Sequence, residues 1–287
     1  MIVHTQKPAD TFTLAHGRRL ALDRPLVMGI LNVTPDSFSD GGRYLDSHAA
    51  LERATTMVGE GADLIDIGAE SSRPGALPVP AAEELRRLIP IVRAVCRQVA
   101  VPVSVDTTKA VVAEQAIGQG ATIINDISAL EADPAMVAVV ARTGAGLVLM
   151  HRQGTSPTMQ VKPQYGDVVG EVRAYLQTRM EMASRAGIAE DHIVLDPGIG
   201  FGKNREHNLA LLTRLEELLV LGRPLLLGVS RKAFIGEVLG RQTDERIWGT
   251  AAAVAVAVLR GARIVRVHDV TAMRDVVRMV HAIHEAR

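Results

Sequence analysis

The stretch LVMGILNVTPDSFSDGG, residues 26–42, passes directly from an apolar run into a polar loop. Residues 26–31 contain no charged side chain, which is typical of a β-strand covered on both faces of a sheet. From Asn32 to Gly42 the chain is rich in Asn, Thr, Ser, Asp and Gly and contains one aromatic residue, Phe38. The pattern predicts a core strand that ends in a polar loop with one apolar contact.

Seven further apolar runs follow, each separated from the next by a longer segment with helical spacing. Together the eight runs are residues 26–31, 63–68, 101–106, 122–126, 146–150, 192–196, 224–230 and 263–268. The helical segments are residues 47–60, 81–98, 108–118, 133–142, 168–186, 206–221, 231–239 with 245–260, and 270–286. Eight such units without a linker predict an α/β fold, a (β/α)8 TIM barrel, in one domain over residues 1–287. A doubly wound open sheet is the alternative, but it usually has fewer strands or a second domain.

The segment before the first strand, TFTLAHGRRLALD at residues 11–23, alternates in polarity around His16 and Gly17. Such alternation on both sides of a glycine turn is typical of a β-hairpin. We expect this hairpin to close the amino-terminal end of the barrel.

The composition excludes several classes of function. Lys plus Arg equals Asp plus Glu, 32 of each, so nothing indicates a nucleic-acid or anionic membrane surface. The single cysteine, Cys96, excludes an internal disulfide, and the chain starts without an apolar signal run. The longest apolar run, residues 247–259, is short of the ~20 residues of a membrane helix and is predicted to be a buried helix. We expect a soluble, cytoplasmic protein.

Polar side chains follow every predicted strand at its carboxyl end, where TIM-barrel active sites lie. They are Asn32, Glu70, Ser71, Ser72, Arg73, Asp106, Asn125, Asp126, Met150 with His151, Asp196, Ser230, Arg231, Lys232, Arg266 and His268. Capping of the next helix explains Asp106 or Asp126 equally well on its own. Capping alone does not explain polar residues at all eight strand ends, so we predict a functional site there.

Two basic residues and a glycine-rich segment belong to these strand ends. Lys232 and Arg266 follow the seventh and eighth strands, the usual phosphate-binding quarter of this fold. DPGIGFGK, residues 196–203, matches neither a Walker A loop nor a dinucleotide fingerprint, and by itself it fits a structural turn as well as a ligand-facing one. No zinc-type spacing of His and Cys occurs in the sequence.

Eight motifs, in this order, resemble those of the dihydropteroate synthase family and span nearly the whole chain. They are MGILNVTPDSFSDGG, DIGAESSRPGA, SVDTTK, INDIS, LMHRQG, DPGIGFGK, GVSRK and RVHDV. The resemblance implies a single pterin-binding TIM-barrel domain, in a homodimer. It also implies condensation of 6-hydroxymethyl-7,8-dihydropterin diphosphate with 4-aminobenzoate to 7,8-dihydropteroate and diphosphate. In the family, diphosphate departs largely before the arylamine attacks, so no strong general base is needed.

The resemblance also implies roles for individual residues. The pterin would be bound by Asp106, Asn125, Ile127, Met150, Asp196, Gly200, Phe201, Lys232 and Arg266. The aminobenzoate and the closing loops would involve Phe38, Ser72, Arg73, Pro74 and Ser230, and the diphosphate would involve Asn32, Arg73, Arg266 and His268. Asn32 would be the protein ligand of a Mg²⁺ cofactor. Those implied to act in catalysis are Asn32, Asp106, Lys232, Arg266 and His268.

The chain departs from the family pattern at two positions. Ser72 replaces a common threonine and keeps the hydroxyl, whereas Ala233 replaces a serine whose hydroxyl contacts the aminobenzoate carboxylate in many members. Two other functions stay open at this point. One is a pterin-binding methyltransferase acting on a corrinoid, which has no need for a diphosphate site, and the other is a catalytically silent pterin-binding or partner-binding paralogue.

Overall fold

The computed structural model describes residues 10–33, 43–71, 75–155 and 158–286, with residues 43–46 as backbone only. Within these ranges the chain forms a closed barrel of parallel strands. The strands are β3 (Leu26–Asn32), β4 (Leu64–Gly68), β5 (Val103–Asp106), β6 (Ile123–Asp126), β7 (Gly146–Met150), β8 (Ile193–Asp196), β9 (Leu225–Leu227) and β10 (Ala262–Val267). They follow one another around the barrel in chain order, and β10 closes it between β9 and β3. The predicted TIM barrel is confirmed.

Helices follow the strands on the outside of the barrel. They are α1 (Arg43–Gly59), α2 (Ala81–Gln98), α3 (Ala110–Gly118), α4 (Met136–Thr143), α5 (Val168–Arg185), α6 (Arg205–Thr213), α7 (Ala233–Leu239), α8 (Ile247–Leu259) and α9 (Val270–Glu285). The prediction of one helix over residues 206–221 is wrong beyond Thr213, because Leu215–Leu221 forms a 3₁₀ helix. Its two buried residues, Leu215 and Leu218, are three apart, which suits three residues per turn.

A hairpin closes the amino-terminal end of the barrel, as predicted. β1 (Thr11–Thr13) pairs antiparallel with β2 (Arg19–Ala21), and the connecting turn places His16 in the left-handed region with φ 61°. Phe12 and Leu14 belong to one buried cluster with the lower interior side chains of the barrel, namely Leu26, Met28, Leu64, Ile123, Val148, Val194, Leu226 and Ile264. At Gly146 a Cβ atom would lie 2.7 Å from the Phe12 ring, so glycine is needed where the hairpin enters.

The prediction that residues 247–259 form a buried helix is confirmed for the helix and wrong for the burial of one of its faces. α8 buries Thr250, Ala253, Val254 and Ala257, but Trp248 on its other side is 81 % exposed. Val256 and Leu259 are also exposed. The sequence is apolar all round, so its pattern could not show that only one face packs against the barrel and α9. Among the described residues, no helix is long and apolar enough to cross a membrane.

Candidate active site at the carboxyl end of the barrel

A cavity of about 940 Å³ opens at the carboxyl ends of the barrel strands. Eight of the predicted site residues line it, namely Asn32, Asp106, Gly200, Phe201, Ser230, Lys232, Arg266 and His268. Four others are not among its lining residues. Asn125, Met150 and Asp196 lie at or next to the carboxyl ends of three neighbouring strands and are nearly fully buried, and Ile127 is half-buried. Phe38, Ser72, Arg73 and Pro74 lie outside the described residues.

Arg266 is held at the centre of the site by two carboxylates. Its Nε atom donates to Asp66 Oδ2 at 2.6 Å, and one terminal nitrogen donates to Asp106 Oδ2 at 2.9 Å. Asp66 Oδ2 also accepts from the Asn125 side-chain nitrogen at 3.1 Å. The buried carboxylate of Asp66 therefore orients two residues that are predicted to bind the pterin, Arg266 and Asn125. The other oxygen of Asp66, Oδ1, and the side-chain oxygen of Asn125 are buried without a hydrogen-bond partner among the described residues.

Asp66 is the site residue that sequence reasoning missed. It lies inside an apolar strand, β4, and is completely buried. The available signal was its place in the run LIDIG, where a charged side chain two residues before Gly68 faces the barrel interior. A charge at such a position needs a partner, and the sequence alone does not show that Arg266, two hundred residues later, supplies it.

Asp106 and Asp126 both end strands, but their side chains have different partners. Asp126 accepts hydrogen bonds from the Ser128 backbone and hydroxyl and from the Leu130 backbone, so its carboxylate organises a turn. Asp106 contacts Arg266, and it is the Thr107 hydroxyl that accepts from the Lys109 backbone before α3. The interpretation that these residues cap the next helix is therefore wrong for both: α4 begins at Met136 without a side-chain cap, and Asp106 pairs with Arg266.

Asp196 and Lys232 form the charged side of the site opposite Asp66. Asp196 Oδ1 accepts from the Gly198 backbone at 2.7 Å, and the Lys232 ammonium lies 4.0 Å from the centre of the Phe201 ring. Burial raises the pKa of Asp196 to about 6 and lowers the pKa of Lys232 to about 8. Burial also raises the pKa of Asp106 to about 7, against the opposing charge of Arg266.

The segment DPGIGFGK is a tight turn that forms one wall of the cavity. Gly198 has φ 68°, and a Cβ atom there would lie 1.8 Å from the His151 carbonyl oxygen, so only glycine fits. Lys203 is turned inward, with its ammonium donating to the carbonyls of Gly198 and Phe201 at 3.0 Å each. The lysine of this motif thus stabilises the turn, and it lines the cavity together with Gly200 and Phe201.

Ser230 and His268 connect the last two strand ends. The Ser230 hydroxyl accepts from the His268 backbone at 3.2 Å and lies 3.0 Å from His268 Nδ1. Both residues line the cavity beside Lys232 and Arg266. This places a hydrogen-bonding imidazole next to two cationic side chains, a combination suited to a phosphate group.

Asn32 is the one residue predicted to bind a metal. It ends β3, is half-buried and lines the cavity. In the part of the chain that the structure describes, no group of three His, Cys, Asp or Glu side chains could hold a metal ion by itself. A single amide oxygen fits Mg²⁺ whose other ligands are substrate phosphate oxygens and water.

Comparison with known proteins decides the family. Residues 28–268 match the family model described as pterin binding enzyme. A dihydropteroate synthase of Synechocystis sp. is 48 % identical over 261 residues, which cover 91 % of this chain and 90 % of that protein. The chain belongs to the dihydropteroate synthase family.

Solved structures of the dihydropteroate synthase family share the fold described here. The Xanthomonas albilineans enzyme with 4-aminobenzoic acid superposes with a TM-score of 0.90 at 46 % identity, covering 96 % of this chain and 98 % of that one. The same enzyme in complex with 7,8-dihydropteroate gives a TM-score of 0.86 at 44 % identity, covering 95 % and 98 % of the two chains. The Xanthomonas albilineans enzyme thus binds both 4-aminobenzoic acid and 7,8-dihydropteroate on this fold.

Proposed function

We propose that this chain condenses 6-hydroxymethyl-7,8-dihydropterin diphosphate with 4-aminobenzoate to give 7,8-dihydropteroate and diphosphate. One observation carries the proposal. Acceptors and donors suited to a pterin, at Asp106 and Lys232, line the same cavity as Arg266 and His268, which suit a diphosphate. Structures of the Xanthomonas albilineans enzyme contain 4-aminobenzoic acid and 7,8-dihydropteroate, which are one substrate and the product of the proposed reaction, and they support the proposal.

The pterin edge is matched by groups of opposite hydrogen-bonding character. The ionised Asp196 accepts from a ring N–H and the exocyclic amine, and Asn125 both donates and accepts. Asp106 accepts from a further ring N–H, and Lys232 donates to the carbonyl side. Because Asp66 orients Asn125, the amide presents a fixed face to the ring.

The diphosphate leaves by cleavage of a carbon–oxygen bond, so the site must stabilise charge on the departing oxygen. Arg266 and His268 donate to it, and Asn32 would be the protein ligand of the Mg²⁺ ion. When bound, Mg²⁺ supplies further neutralisation of the diphosphate charge. The buried ion pairs of Arg266 fix the guanidinium before the reaction, which keeps its reorganisation small.

The arylamine then attacks the pterin methylene carbon and forms the carbon–nitrogen bond, after which its proton leaves to water. An arylamine is neutral at physiological pH and needs no base to become nucleophilic. The task of the protein is to align the amine with the carbon and to keep water away.

We further propose that the chain forms a homodimer through the exposed face of α8. Trp248 is 81 % exposed there, and Met279 and Ile283 are exposed on α9, which packs beside α8. Exposed apolar side chains of this size are typical of a protein–protein interface. A monomeric mass in multi-angle light scattering at micromolar concentration would contradict this assembly.

The proposed reaction is tested by incubating the purified chain with both substrates and Mg²⁺. We expect dihydropteroate and diphosphate to appear in equal amounts, measured by chromatography and by a phosphate-release assay. Diphosphate release without dihydropteroate would indicate hydrolysis instead. Absence of turnover in a folded, pterin-binding protein would indicate a silent paralogue, and methyl transfer from methyltetrahydrofolate would indicate the corrinoid alternative.

Affinity for the pterin is expected to depend on pH in a bell shape. Binding requires Asp106 and Asp196 to be ionised, so affinity rises as pH increases through their pKa values of about 7 and 6. Binding also requires Lys232 to be protonated, so affinity falls as pH increases above about 8. Titration calorimetry with 6-hydroxymethyl-7,8-dihydropterin from about pH 5.5 to about pH 9.5, a range that includes all three pKa values, checks the shape. A flat profile contradicts the assigned protonation states.

Replacing Ala233 with serine is expected to lower the KM for 4-aminobenzoate several-fold, with kcat little changed. Ala233 lines the cavity directly after Lys232, and a hydroxyl there would donate one hydrogen bond to the carboxylate. Steady-state kinetics with the pterin substrate saturating gives the comparison. An equal or higher KM in the Ala233→Ser variant would show that the missing hydroxyl is not a deficit in this chain.

A further inference from the structure

Two turns at the carboxyl end of the barrel are joined by a second bridge besides Ser230–His268. Arg231 Nε donates to Asp269 Oδ2 at 3.0 Å, and a terminal guanidinium nitrogen donates to Asp269 Oδ1 at 2.5 Å. Arg231 immediately precedes Lys232, and Asp269 immediately follows His268. The ion pair therefore connects the segment that contains Lys232, proposed to bind the pterin, to the segment that contains His268, proposed to bind the diphosphate.

The backbone at Arg231 is held in an unfavourable conformation from the opposite side. Its φ is 57°, a left-handed value that residues other than glycine rarely adopt. Its N–H donates to the hydroxyl of the fully buried Thr250 at 3.0 Å, and its carbonyl accepts from Arg246 at 3.0 Å. Both partners flank or belong to α8, so the outer helix layer fixes the turn while Asp269 holds the side chain.

We propose that the Arg231–Asp269 ion pair is a positioning device that sets the separation of Lys232 from His268. The proposal rests on the proposed function, in which one substrate spans both groups. A bidentate arginine–carboxylate pair fixes orientation as well as distance, so its loss lets the two turns move relative to each other. The affinity of a ligand that contacts only Lys232 or only His268 does not depend on this separation, whereas the affinity of the pterin diphosphate does.

The test compares three ligands, each titrated with Mg²⁺ present. They are 6-hydroxymethylpterin, inorganic diphosphate and 6-hydroxymethylpterin diphosphate. In Arg231→Met we expect the first two to bind within about threefold of the original chain, while the linked molecule loses about tenfold or more, because the advantage of linkage depends on geometry. The kcat is expected to fall about 10- to 100-fold with an unchanged KM for aminobenzoate.

Arg24→Met is the matched control. Arg24 forms the same kind of two-contact pair with Asp63, at 2.6 and 3.3 Å, but at the amino-terminal end of the barrel. It is similarly exposed, 43 % for its side chain against 33 % for Arg231. We expect Arg24→Met to lower the melting temperature to a similar extent and to leave the binding of all three ligands and the kcat unchanged.

Asp269→Asn provides a second route if Arg231→Met folds poorly, and the double variant should be no worse than either single one. Equal loss of all three ligands in these variants, or of none, would overturn the proposal. So would a rise in the KM for aminobenzoate alone, since that would make Arg231 a direct substrate contact. Because the titrations need no turnover, failure of the proposed reaction in the original chain would be recognised separately.

Discussion

Replacing Asp196 with asparagine is expected to weaken binding of 6-hydroxymethylpterin about 100-fold or more. In the proposed complex the carboxylate accepts from two donors on the pterin edge, and an amide would turn an N–H group toward one of them. A site built around hydrogen bonds discriminates strongly against a ligand whose polar groups it leaves unpaired. Titration calorimetry at pH 7.5, chosen between the Asp196 and Lys232 pKa values of about 6 and 8, measures the loss directly.

Asp126→Asn is the control for this variant. Asp126, like Asp196, is a buried aspartate that ends a barrel strand and accepts from a backbone N–H two residues later. Its partners all lie within its own turn, so its replacement should lower stability and leave pterin affinity within about threefold. If Asp196→Asn retains near-normal affinity, or if Asp126→Asn loses as much affinity for the pterin, Asp196 does not bind the pterin edge.

Replacing Asp66 with asparagine is expected to damage both stability and catalysis. Asp66 is completely buried and accepts from Arg266 Nε at 2.6 Å, so an uncharged side chain removes one of the two countercharges of a guanidinium that is only 17 % exposed. Breaking a buried ion pair costs about 3–5 kcal/mol, and we expect the lower end because Asp106 remains. We expect kcat/KM for the pterin diphosphate to fall about 100-fold, because Arg266 and Asn125 both lose their alignment.

Urea unfolding and steady-state kinetics measure the two effects in the Asp66→Asn variant. Ser104→Ala serves as the control, since Ser104 faces Asp66 in register on β5 and is also fully buried. Its hydroxyl has no hydrogen-bond partner among the described residues, so its removal should leave stability and activity nearly unchanged. Full activity in a destabilised Asp66→Asn variant would show that Asp66 supports the fold and not the placement of Arg266.

Much of the fold could be predicted because its strands are buried on both faces. Runs such as GLVLM at residues 146–150 have no polar side to confuse the assignment, and β7 has these bounds. The helical segments were harder where burial changes within one apolar pattern. Leu215–Leu221 tightens into a 3₁₀ helix, and Trp248 faces outward, because packing partners decide both outcomes.

The site was predictable to the extent that strand ends converge. Asn32, Asp106, Lys232, Arg266 and His268 line one cavity because the barrel brings the carboxyl ends of its strands together. Interior contacts between distant strands could not be predicted. The interaction of Asp66 with Arg266 depends on barrel closure, and no local pattern encodes it. The roles of Phe38, Ser72, Arg73 and Pro74 stay predictions.

A crystal structure with 6-hydroxymethylpterin diphosphate and Mg²⁺ tests the central claim most directly. We predict one ligand whose ring contacts Asp196, Asn125 and Lys232 while its diphosphate contacts Arg266 and His268. A pterin bound elsewhere, or a diphosphate directed away from His268 while the ring occupies the cavity, would contradict the claim that a single rim of the barrel binds both halves of the substrate.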